Sequence, residues 1–562
     1  MRPGVCLQVY EPASVADVPG SGRVADRAPV ELPGAGLRRG ALLAPALAAA
    51  LAALWLAIDP RTPDLAAQLY RVGLFNRIGF AVWDQNWYAG HHLPGYSLLY
   101  PWLGALLGAR VVGALCVVAS TVLFAALVTP SYGRAARWGA AAFAIAAVGD
   151  IWLGRLAFAL GVSLALGAGL SYRRGHPLLA ALLAALAAAG SPVAGLALGL
   201  AALTVALHER SSRALLALAA PAAAVVLPLT VLFPEGGTEP YPFVSFAMTV
   251  LVVAVFLAVL PRGERLLRLG AFVYLAACVA CLLIPSPVGS NIERYGVLLA
   301  APLLACALLA ARGRPGAARR GWPSALGAGA LALIGVWVLW GPVRETAAVA
   351  DSPAASSSYY RPLERYLDSV AGPVRVEVPL TRSHWEAAML AAHVALARGW
   401  EKQLDTRYDG ALLNGGLDAA SYRAWLNREA VSYVALPDVP LDPSTAAEAS
   451  VIRSRPAYLQ PVFRSAHWRV FKVLGATPLA VGPGRLVRMG HDSFVLHARA
   501  AGAFLVRVRY TPYWTLTAGS GCVREGREGF TRVTAAAPGR IVVAARFSPA
   551  RALGLASACR AG

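Results

Sequence analysis

The chain has 562 residues, of which 57% are hydrophobic and only 14% are charged, against about 25% charged residues in a typical globular domain. The mean hydropathy is +0.55, and the apolar residues are concentrated in runs such as 40–58 and 243–260. Runs of this length match the roughly 30 Å apolar core of a bilayer. The composition excludes an ordinary soluble enzyme and predicts a polytopic α-helical membrane protein.

The net charge of +21 does not indicate a nucleic-acid-binding protein. The 51 basic residues are divided almost evenly, with 25 in residues 1–344 and 26 in residues 345–562. Nucleic-acid binding requires a basic patch on one face or along one helix. The strong preference for Arg over Lys indicates genome composition rather than a ligand, so no nucleic-acid partner is predicted.

Residues 40–344 are predicted to form a transmembrane domain with about eleven spans. The predicted spans are residues 40–58, 105–128, 135–149, 155–171, 177–190, 192–207, 214–233, 243–260, 269–284, 295–311 and 323–341. Residues 1–39 are polar and rich in Pro and Gly. We therefore expect a disordered cytoplasmic N-terminal tail with no cleavable signal peptide.

The short loops between the predicted spans differ in charge on the two sides of the membrane. If the N-terminus is cytoplasmic, the cytoplasmic loops carry thirteen arginines against two acidic residues, Glu209 and Glu264. The acidic residues on the opposite side are Asp59, Asp64, Asp84, Asp150, Glu235, Glu239 and Glu293. This positive-inside pattern predicts a cytoplasmic N-terminus and an extracytoplasmic C-terminal region.

The region after the spans is large enough to fold independently. Strand-like and helix-like patterns alternate in residues 345–475, which predicts an extracytoplasmic α/β domain. Strand-like runs separated by Gly and Pro turns in residues 476–562 predict an extracytoplasmic β-rich domain, most simply a β-sandwich. Two interpretations are open for four ring-bearing residues of the α/β domain, an acceptor groove or a domain core. These residues are His384, Trp385, Trp400 and Trp425.

Cysteine positions agree with an extracytoplasmic C-terminal region. Cys522 and Cys559 are the only two cysteines after residue 345, and an oxidising exterior permits a disulfide between them. Cys278 and Cys281 have CxxC spacing but lie in a hydrophobic run without a neighbouring His or acidic residue. We interpret these two as small packing residues.

The first outer loop, residues 59–100, is about forty residues long. Thr62, Pro63 and Asp64 predict a helix start, with Thr62 as the N-cap and Pro63 at the first position. Apolar residues then recur at helical spacing, which predicts an amphipathic helix along the membrane surface. Two interpretations of Asp64 are open, a partner of the helix dipole or a reactive group.

Aromatic and polar side chains crowd the second half of this loop, in the stretch WDQNWYAGHHLPGY. The candidate substrate-binding residues are Trp83, Asp84, Trp87, Tyr88, His91 and His92. The aromatic rings are either anchors at the membrane interface or platforms that stack on sugar rings. The two adjacent histidines do not indicate a zinc site, because adjacent residues rarely chelate one ion without further ligands.

The order of these features resembles the GT-C superfamily of integral-membrane glycosyltransferases, which use polyprenyl-phosphate sugars. The shared features are one span, a long outer loop opening with an acidic helix, many further spans and an exterior C-terminal domain. Shorter motifs resemble bacterial membrane proteins labelled as related to 6-pyruvoyl-tetrahydropterin synthase, a label that does not imply that activity. They are DxxxQLYR from Asp64, GFAVW from Gly79, WYxGHHxPGY from Trp87, SAHWRVF from Ser465 and YTPYW from Tyr510.

The resemblance implies that an acidic residue of the first outer loop removes the proton from the acceptor hydroxyl. A carboxylate suits this role if its pKa is raised near the membrane interface. Asp64 matches by position, and Asp59 is the alternative. Many members carry a paired acidic motif, whereas four residues separate Asp59 from Asp64 here. No cofactor is implied firmly, and a divalent metal ion is left open.

The leaving phosphate requires cationic groups at the membrane surface. Arg294, at the predicted outer end of a span, is the leading candidate, and Arg155 is the second. The alternatives are a salt bridge between Arg294 and Glu293 or an interface anchor, and a structural pair between Arg155 and Asp150.

The sequence therefore predicts a glycosyltransferase of a bacterial plasma membrane that acts on the outer face. Its predicted partners are a polyprenyl-phosphate-linked sugar, a cell-envelope acceptor and the lipid bilayer. The alternatives are a transporter or flippase of lipid-linked glycans and a noncatalytic membrane scaffold. A transporter would favour acidic residues deep in the spans and an inverted repeat, whereas the acidic residues here lie at the predicted outer ends.

Overall fold

A computed structural model of the chain describes residues 35–312, 324–413, 415–556 and 559–560. The chain divides into two units at position 40. Of the first unit only residues 35–40 are described, and they are helical. The predicted disordered tail covers residues 1–39, and residues 1–34 of it lie outside the described residues.

Helices α1 to α13 occupy most of the described residues up to position 349. Their bounds are α1 Ala35–Ile58, α2 Pro63–Ile78, α3 Tyr100–Leu107, α4 Ala109–Tyr132, α5 Ala136–Trp152, α6 Leu156–Arg173, α7 Pro177–Gly190, α8 Pro192–Glu209, α9 Ala220–Leu232, α10 Phe243–Val259, α11 Arg265–Leu283, α12 Glu293–Arg312 and α13 Ser324–Val349. In the described part of the chain, seven helical segments are long and apolar enough to cross a membrane, or eight if α1 and α2 form one bent span. The chain is a multi-pass membrane protein, and the number of about eleven spans stays a prediction.

Helices α4 and α5 fold back on each other. The rings of Phe124 and Phe143 stack with a centroid separation of 4.5 Å, although the same residues in one straight helix would lie about 28 Å apart. The chain reverses at Gly133, which has a φ of 53°. Small residues allow such helices to approach closely. A Cβ atom at Gly139, for example, would lie only 2.1 Å from the Sγ atom of Cys306 on α12.

Helix α2 follows α1 after a bend of 82°. Thr62 takes an extended N-cap conformation and Pro63 is the first helical residue, as the sequence predicts. The predicted amphipathic character is not seen, because the polar residues Gln68 and Arg71 are buried as well as the apolar ones. The C-terminal region covers this polar side, which the spacing of residues in the helix does not reveal.

A short antiparallel pair of strands follows α2. Strand β1, Trp83–Asp84, pairs with strand β2, His91–His92. Tyr88 and Ala89 have positive φ values of 54° and 60° in the tight connection between them.

A five-stranded mixed sheet forms the centre of the α/β region, with strand order β4-β3-β5-β7-β6. Its strands are β3 Arg375–Glu377, β4 Ala395–Leu396, β5 Tyr433–Pro437, β6 Leu459–Arg464 and β7 Trp468–Val473. Strand β3 runs parallel to β4 and β5, and β7 runs antiparallel to β5 and β6. The helices are α14 Ser357–Asp368, α15 Glu386–Met389, α16 Lys402–Tyr408, α17 Gly410–Leu413, α18 Ala419–Arg428 and α19 Ala446–Arg453.

Two antiparallel sheets form the last region, with strand orders β12-β15-β10-β9 and β16-β13-β14-β11-β8. The elements are β8 Ala480–Val481, β9 Gly484–Met489, β10 Ser493–Ala498, β11 Gly502–Arg509, β12 Trp514–Ala518, β13 Gly521–Glu525, β14 Phe530–Ala535, β15 Gly539–Ala545, α20 Pro549–Ala552 and β16 Cys559–Arg560. Phe494, Trp514 and Val533 are buried in their shared core. Cys522 on β13 and Cys559 on β16 form a disulfide.

Candidate functional site

A cavity of about 1140 Å³ lies where one set of membrane-helix ends meets the α/β region. The start of α2, the turn between α5 and α6, the segment after α9 and the start of α12 contribute to its wall, together with segments of the α/β region. A concave site with several converging polar groups is the natural place for a ligand. Four predicted site residues line it: Asp64, His92, Arg155 and Arg294.

Asp64 lies in the first turn of α2, where close packing fixes its position. Thr62 Oγ1 donates a 2.7 Å hydrogen bond to the carbonyl oxygen of Trp152. Gly154 in the turn between α5 and α6 has a φ of 89°, and a Cβ atom there would lie 2.2 Å from the backbone nitrogen of Leu65. This close approach brings the turn against α2. The Asp64 side chain is 37% exposed and faces the cavity.

Arg155 connects Asp64 with Asp150. Its Nε atom lies 3.6 Å from Asp64 Oδ2 and its Nη1 atom lies 3.4 Å from Asp150 Oδ1. The predicted structural pair with Asp150 is thus present, and Arg155 lines the cavity as well. Burial opposes the charge on this guanidinium, but Asp150 and Asp64 raise its pKa above the ordinary value overall. The site therefore holds a permanent cation beside the Asp64 carboxylate.

Arg294, in the first turn of α12, supplies a second cation. Its Nη2 atom donates a 2.5 Å hydrogen bond to Asn291 Oδ1, and its guanidinium lies 5.6 Å from the ring centroid of Phe158. Its Nε atom is buried with no hydrogen-bond partner among the described residues. Glu293, the predicted salt-bridge partner, instead accepts a hydrogen bond from Thr249.

Asp59, the alternative base, does not line the cavity. Its carboxylate forms ion pairs with Arg61, at 2.8 Å, and with Arg110. Both carboxylate oxygens are therefore engaged by guanidinium groups. Of the two acidic candidates, only Asp64 opens onto the cavity.

Trp83 and Asp84 are buried away from the cavity, with exposed fractions of 2% and 0%. The Trp83 ring packs edge-on against Trp514 in the core of the two antiparallel sheets. Asp84 accepts hydrogen bonds from Tyr70, at 2.7 Å, and from Nδ1 of His491, at 3.1 Å. Burial raises the pKa of Asp84, but the His491 contact and the other partners lower it overall.

Trp87, Tyr88 and His91 are also enclosed. Trp87 stacks on Tyr70 with centroids 4.5 Å apart, and its indole nitrogen donates a hydrogen bond to the α/β region. The Tyr88 hydroxyl donates to Asp405 at 3.1 Å. These three side chains are at most 1% exposed, and in this conformation their rings pack against the protein. Their contacts join the first loop to the C-terminal regions.

Three residues of this stretch line the cavity: Gly95, Tyr96 and the predicted site residue His92. The Nδ1 atom of His92 lies 2.8 Å from the carboxylate of Glu235, and its Nε2 atom lies 3.1 Å from Thr511 Oγ1. Thr511 is fully buried. The side chains of His92, Glu235 and Thr511 link the first loop, the segment after α9 and the antiparallel sheets.

Glu239 and Lys402 were not predicted as site residues, yet both line the cavity. Burial raises the pKa of Glu239, against the opposing effects of Lys402 and a hydrogen bond from Ser290. One feature of the sequence could have identified Lys402, because it is one of only two lysines in the chain. No comparable signal marks Glu239, because its neighbours come from distant segments.

The sequence left open whether His384, Trp385, Trp400 and Trp425 form an acceptor groove or a domain core. Of these four residues, His384 and Trp400 line the cavity. Their rings stack with centroids 3.4 Å apart. The other two, Trp385 and Trp425, are buried in cores. Asp442 Oδ2 lies 3.4 Å from His384 Nε2 at the same wall.

Metal binding has no evident set of ligands in the described ranges. No group of three or more His, Cys, Asp or Glu side chains there is arranged to hold a metal ion. We therefore assign no metal-binding residue.

Two solved structures of arabinofuranosyltransferase AftD from Mycobacteria are similar to this chain. The first has 14% sequence identity and a TM-score of 0.41, with 91% of this chain and 57% of that chain covered. The second, a mutant, has 16% identity and a TM-score of 0.37, with 91% and 42% covered. This chain thus spans less than two thirds of either protein. Similarity at this level does not assign an activity. No protein-family model and no curated protein matches the chain.

Proposed function

We propose that the chain is a GT-C-like glycosyltransferase that moves a sugar from a polyprenyl-phosphate donor to a hydroxyl group of a cell-envelope acceptor. The observation that supports this proposal most strongly is the composition of the cavity wall. The carboxylate of Asp64 lies 3.6 Å from Arg155, and Asp64, Arg155 and Arg294 all line the same cavity. The transfer requires a proton acceptor and cations for a leaving phosphate, and these groups supply both.

In the proposed reaction, Asp64 accepts the proton of the acceptor hydroxyl. The acceptor oxygen forms a bond to the anomeric carbon of the donor sugar, and the bond between that carbon and the phosphate oxygen breaks. The electron pair leaves with the polyprenyl phosphate, whose negative charge Arg294 and Arg155 stabilise. Arg294 suits this role because its Nε atom has no hydrogen-bond partner among the described residues, and a guanidinium binds phosphate with two parallel hydrogen bonds.

We place the reaction on the outer face of a bacterial plasma membrane. The thirteen arginines of the predicted cytoplasmic loops support this orientation through the positive-inside rule. Asp64, Glu235 and Glu239 come from loops that the same rule assigns to the outer side, and all three line the cavity.

Transfer by the purified protein in lipid vesicles tests this proposal. Radiolabelled polyprenyl-phosphate sugars and a membrane glycan extract are supplied to the wild type, Asp64→Asn and Asp59→Asn. We expect Asp64→Asn to lose transfer by about 10²–10⁴-fold, the usual contribution of a general base. We expect Asp59→Asn to keep it, because Asp59 lies outside the cavity.

Three outcomes contradict the proposal or part of it. Equal transfer by Asp64→Asn and the wild type removes Asp64 as the base, and loss in Asp59→Asn alone moves that role to Asp59. Movement of the lipid-linked sugar across the vesicle without any transfer favours the flippase. If the protein neither transfers the sugar nor moves the lipid-linked sugar across the vesicle, the noncatalytic scaffold is favoured.

A further inference from the structure

His384 of the α/β region is held in a strained conformation at the cavity wall. Its φ is 55°, a left-handed value that is unfavourable for a non-glycine residue and persists only where the surroundings enforce it. The surroundings here are a tight turn. The buried carboxylate of Glu386 accepts hydrogen bonds from the backbone nitrogen of Thr381, at 3.0 Å, and from its hydroxyl, at 2.5 Å.

The turn presents the imidazole of His384 between an aromatic ring and a carboxylate. The ring of Trp400 lies parallel to it within 15°, and Asp442 Oδ2 lies 3.4 Å from its Nε2 atom. Its Nδ1 atom is buried with no hydrogen-bond partner among the described residues. Burial raises the pKa of Asp442, but the hydrogen bond and charge of His384 lower it overall. Asp442 is therefore an ionised acceptor over the neutral pH range.

Trp400 is partly exposed, whereas its neighbour Trp385 is buried. An indole ring on a cavity wall, with a carboxylate and an imidazole beside it, has the chemistry that recognises a sugar. His384 covers one face of this indole, so the apolar C–H face of a sugar ring would pack on the opposite face. The hydroxyl groups at the edge of the sugar would donate to the carboxylate. These groups come from the α/β region, while Asp64 and Arg294 come from the membrane-helix ends of the same cavity.

We infer that Trp400 and Asp442, positioned by the buried His384 between them, form a carbohydrate subsite that holds the sugar acceptor inside the cavity. The inference rests on the proposed function, since it assigns the acceptor to the α/β side and the lipid phosphate to the helix side. It specifies the acceptor as a glycan with a sugar ring near its reacting end, rather than a protein hydroxyl or a simple lipid.

Binding of soluble oligosaccharides to the full-length protein in detergent tests the subsite without requiring transfer. The probes are arabinose, mannose and galactose oligosaccharides, and binding is measured by saturation-transfer NMR and by titration calorimetry. We expect at least one probe to bind the wild type and Asp64→Asn alike. Trp400→Ala should weaken that binding by at least tenfold and Asp442→Asn by several-fold, whereas Trp400→Phe should keep most of it.

The matched control is Trp138→Ala, because Trp138 is 55% exposed and lies at the end of α5 distant from the cavity. It should bind the probes like the wild type. The subsite is overturned if no probe binds the wild type, if Trp400→Ala binds equally well, or if Asp64→Asn alone abolishes binding. Trp400→Phe keeps an aromatic ring at this position, so it provides a variant in which the fold is expected to be preserved.

Kinetics separate a failure of the subsite from a failure of the proposed function. If the wild type transfers sugar, Trp400→Ala should raise the acceptor KM at least tenfold and leave hydrolysis of the donor by water unchanged. An unchanged acceptor KM overturns the subsite and leaves the glycosyltransferase intact. Oligosaccharide binding that depends on Trp400, without transfer to any acceptor, supports the subsite and contradicts the enzyme.

Discussion

The two halves of the first loop share a polar and aromatic composition but have opposite environments. In the first half, the carboxylate of Asp64 is partly exposed and opens onto a large cavity. In the second half, Asp84 is fully buried among Tyr70, Asn86 and His491. Both acidic residues belong to the same loop of about forty residues. Only the tertiary structure separates a carboxylate that faces a ligand space from one that holds the fold together.

The difference arises from the C-terminal regions. Residues around positions 387–405 and 491–514 cover the second half of the loop through hydrogen bonds and ring contacts. At the start of α2, by contrast, the Asp64 side chain stays 37% exposed at the cavity wall. A dense group of aromatic and polar residues in a loop is therefore compatible with a binding surface and with a domain junction alike.

The same Asp→Asn substitution in the two halves should have opposite consequences. Asp64→Asn should lower transfer by about 10²–10⁴-fold with the thermal unfolding midpoint unchanged. Asp84→Asn should lower the free energy of unfolding by about 1.5–3 kcal/mol, because it weakens hydrogen bonds to a buried charge. Transfer assays and thermal melts on both variants measure this. An Asp64→Asn variant that is destabilised but keeps full transfer would contradict this prediction, because Asp64 would then have the structural role.

Trp87→Ala should destabilise the protein by about 3–5 kcal/mol, the usual cost of removing a buried aromatic ring. Trp87 is fully buried and stacks on Tyr70. The matched control, Trp102→Ala, removes a ring that is 49% exposed and should change the free energy of unfolding by about 0.5 kcal/mol or less. Equal thermal stability of the two variants would show that Trp87 does not join the loop to the C-terminal regions.

Asp405, which accepts a hydrogen bond from Tyr88, should make stability depend on pH. Burial raises the pKa of Asp405 to about 6 in the folded chain, despite the opposing charge of Arg398. The pKa of an Asp in the unfolded chain is about 3.9. The folded state then binds more protons between these values, so the free energy of unfolding falls as the pH rises from about 4 to 6.

We expect a decrease of about 1–3 kcal/mol over this range. Asp405→Asn should make that slope shallower, because other carboxylates whose pKa is raised by burial, such as Glu386, still contribute to it. The exposed control Asp368→Asn should keep the full slope. Thermal unfolding in detergent at pH 4 to 7 measures the slope in all three proteins. A slope in Asp405→Asn as steep as that of the wild type would assign it entirely to other groups.

Arg294→Lys should raise the donor KM about tenfold, equivalent to about 1.4 kcal/mol. Lysine keeps the positive charge but loses the planar fork that binds a phosphate with two hydrogen bonds. The control Arg312→Lys changes an exposed residue at the opposite end of the same helix and should leave KM unchanged. Equal KM values for both variants would remove Arg294 from the donor site.

The sequence predicted the features that depend on local pattern. The apolar runs became helices, the Thr62-Pro63 pair begins α2, and the membrane-protein class with a sheet-rich C-terminal region follows from hydropathy and turn residues. Arg155 and Arg294 were identifiable because few arginines lie at the predicted outer ends of the spans, whereas Asp64 was identified by its position through the resemblance to the GT-C superfamily. These three side chains meet at one cavity.

The sequence failed where distant segments decide burial. The spacing of α2 predicted a solvent-facing polar side, but Arg71 forms a buried ion pair with Glu401, which lies 330 residues away in the chain. The same long-range cover buries Trp83 and Trp87. Glu239 and Asp442 reach the cavity only because separate segments fold together, and no local pattern marks them.

The most direct test of the central claim is a cryo-EM structure of the full-length Asp64→Asn protein in lipid nanodiscs with a polyprenyl-phosphate sugar. We predict that the lipid phosphate binds beside Arg294 and Arg155, with the anomeric carbon facing the side chain at position 64. Binding of the phosphate at another site, with the cavity between α2 and the α/β region left free of donor, would contradict the account.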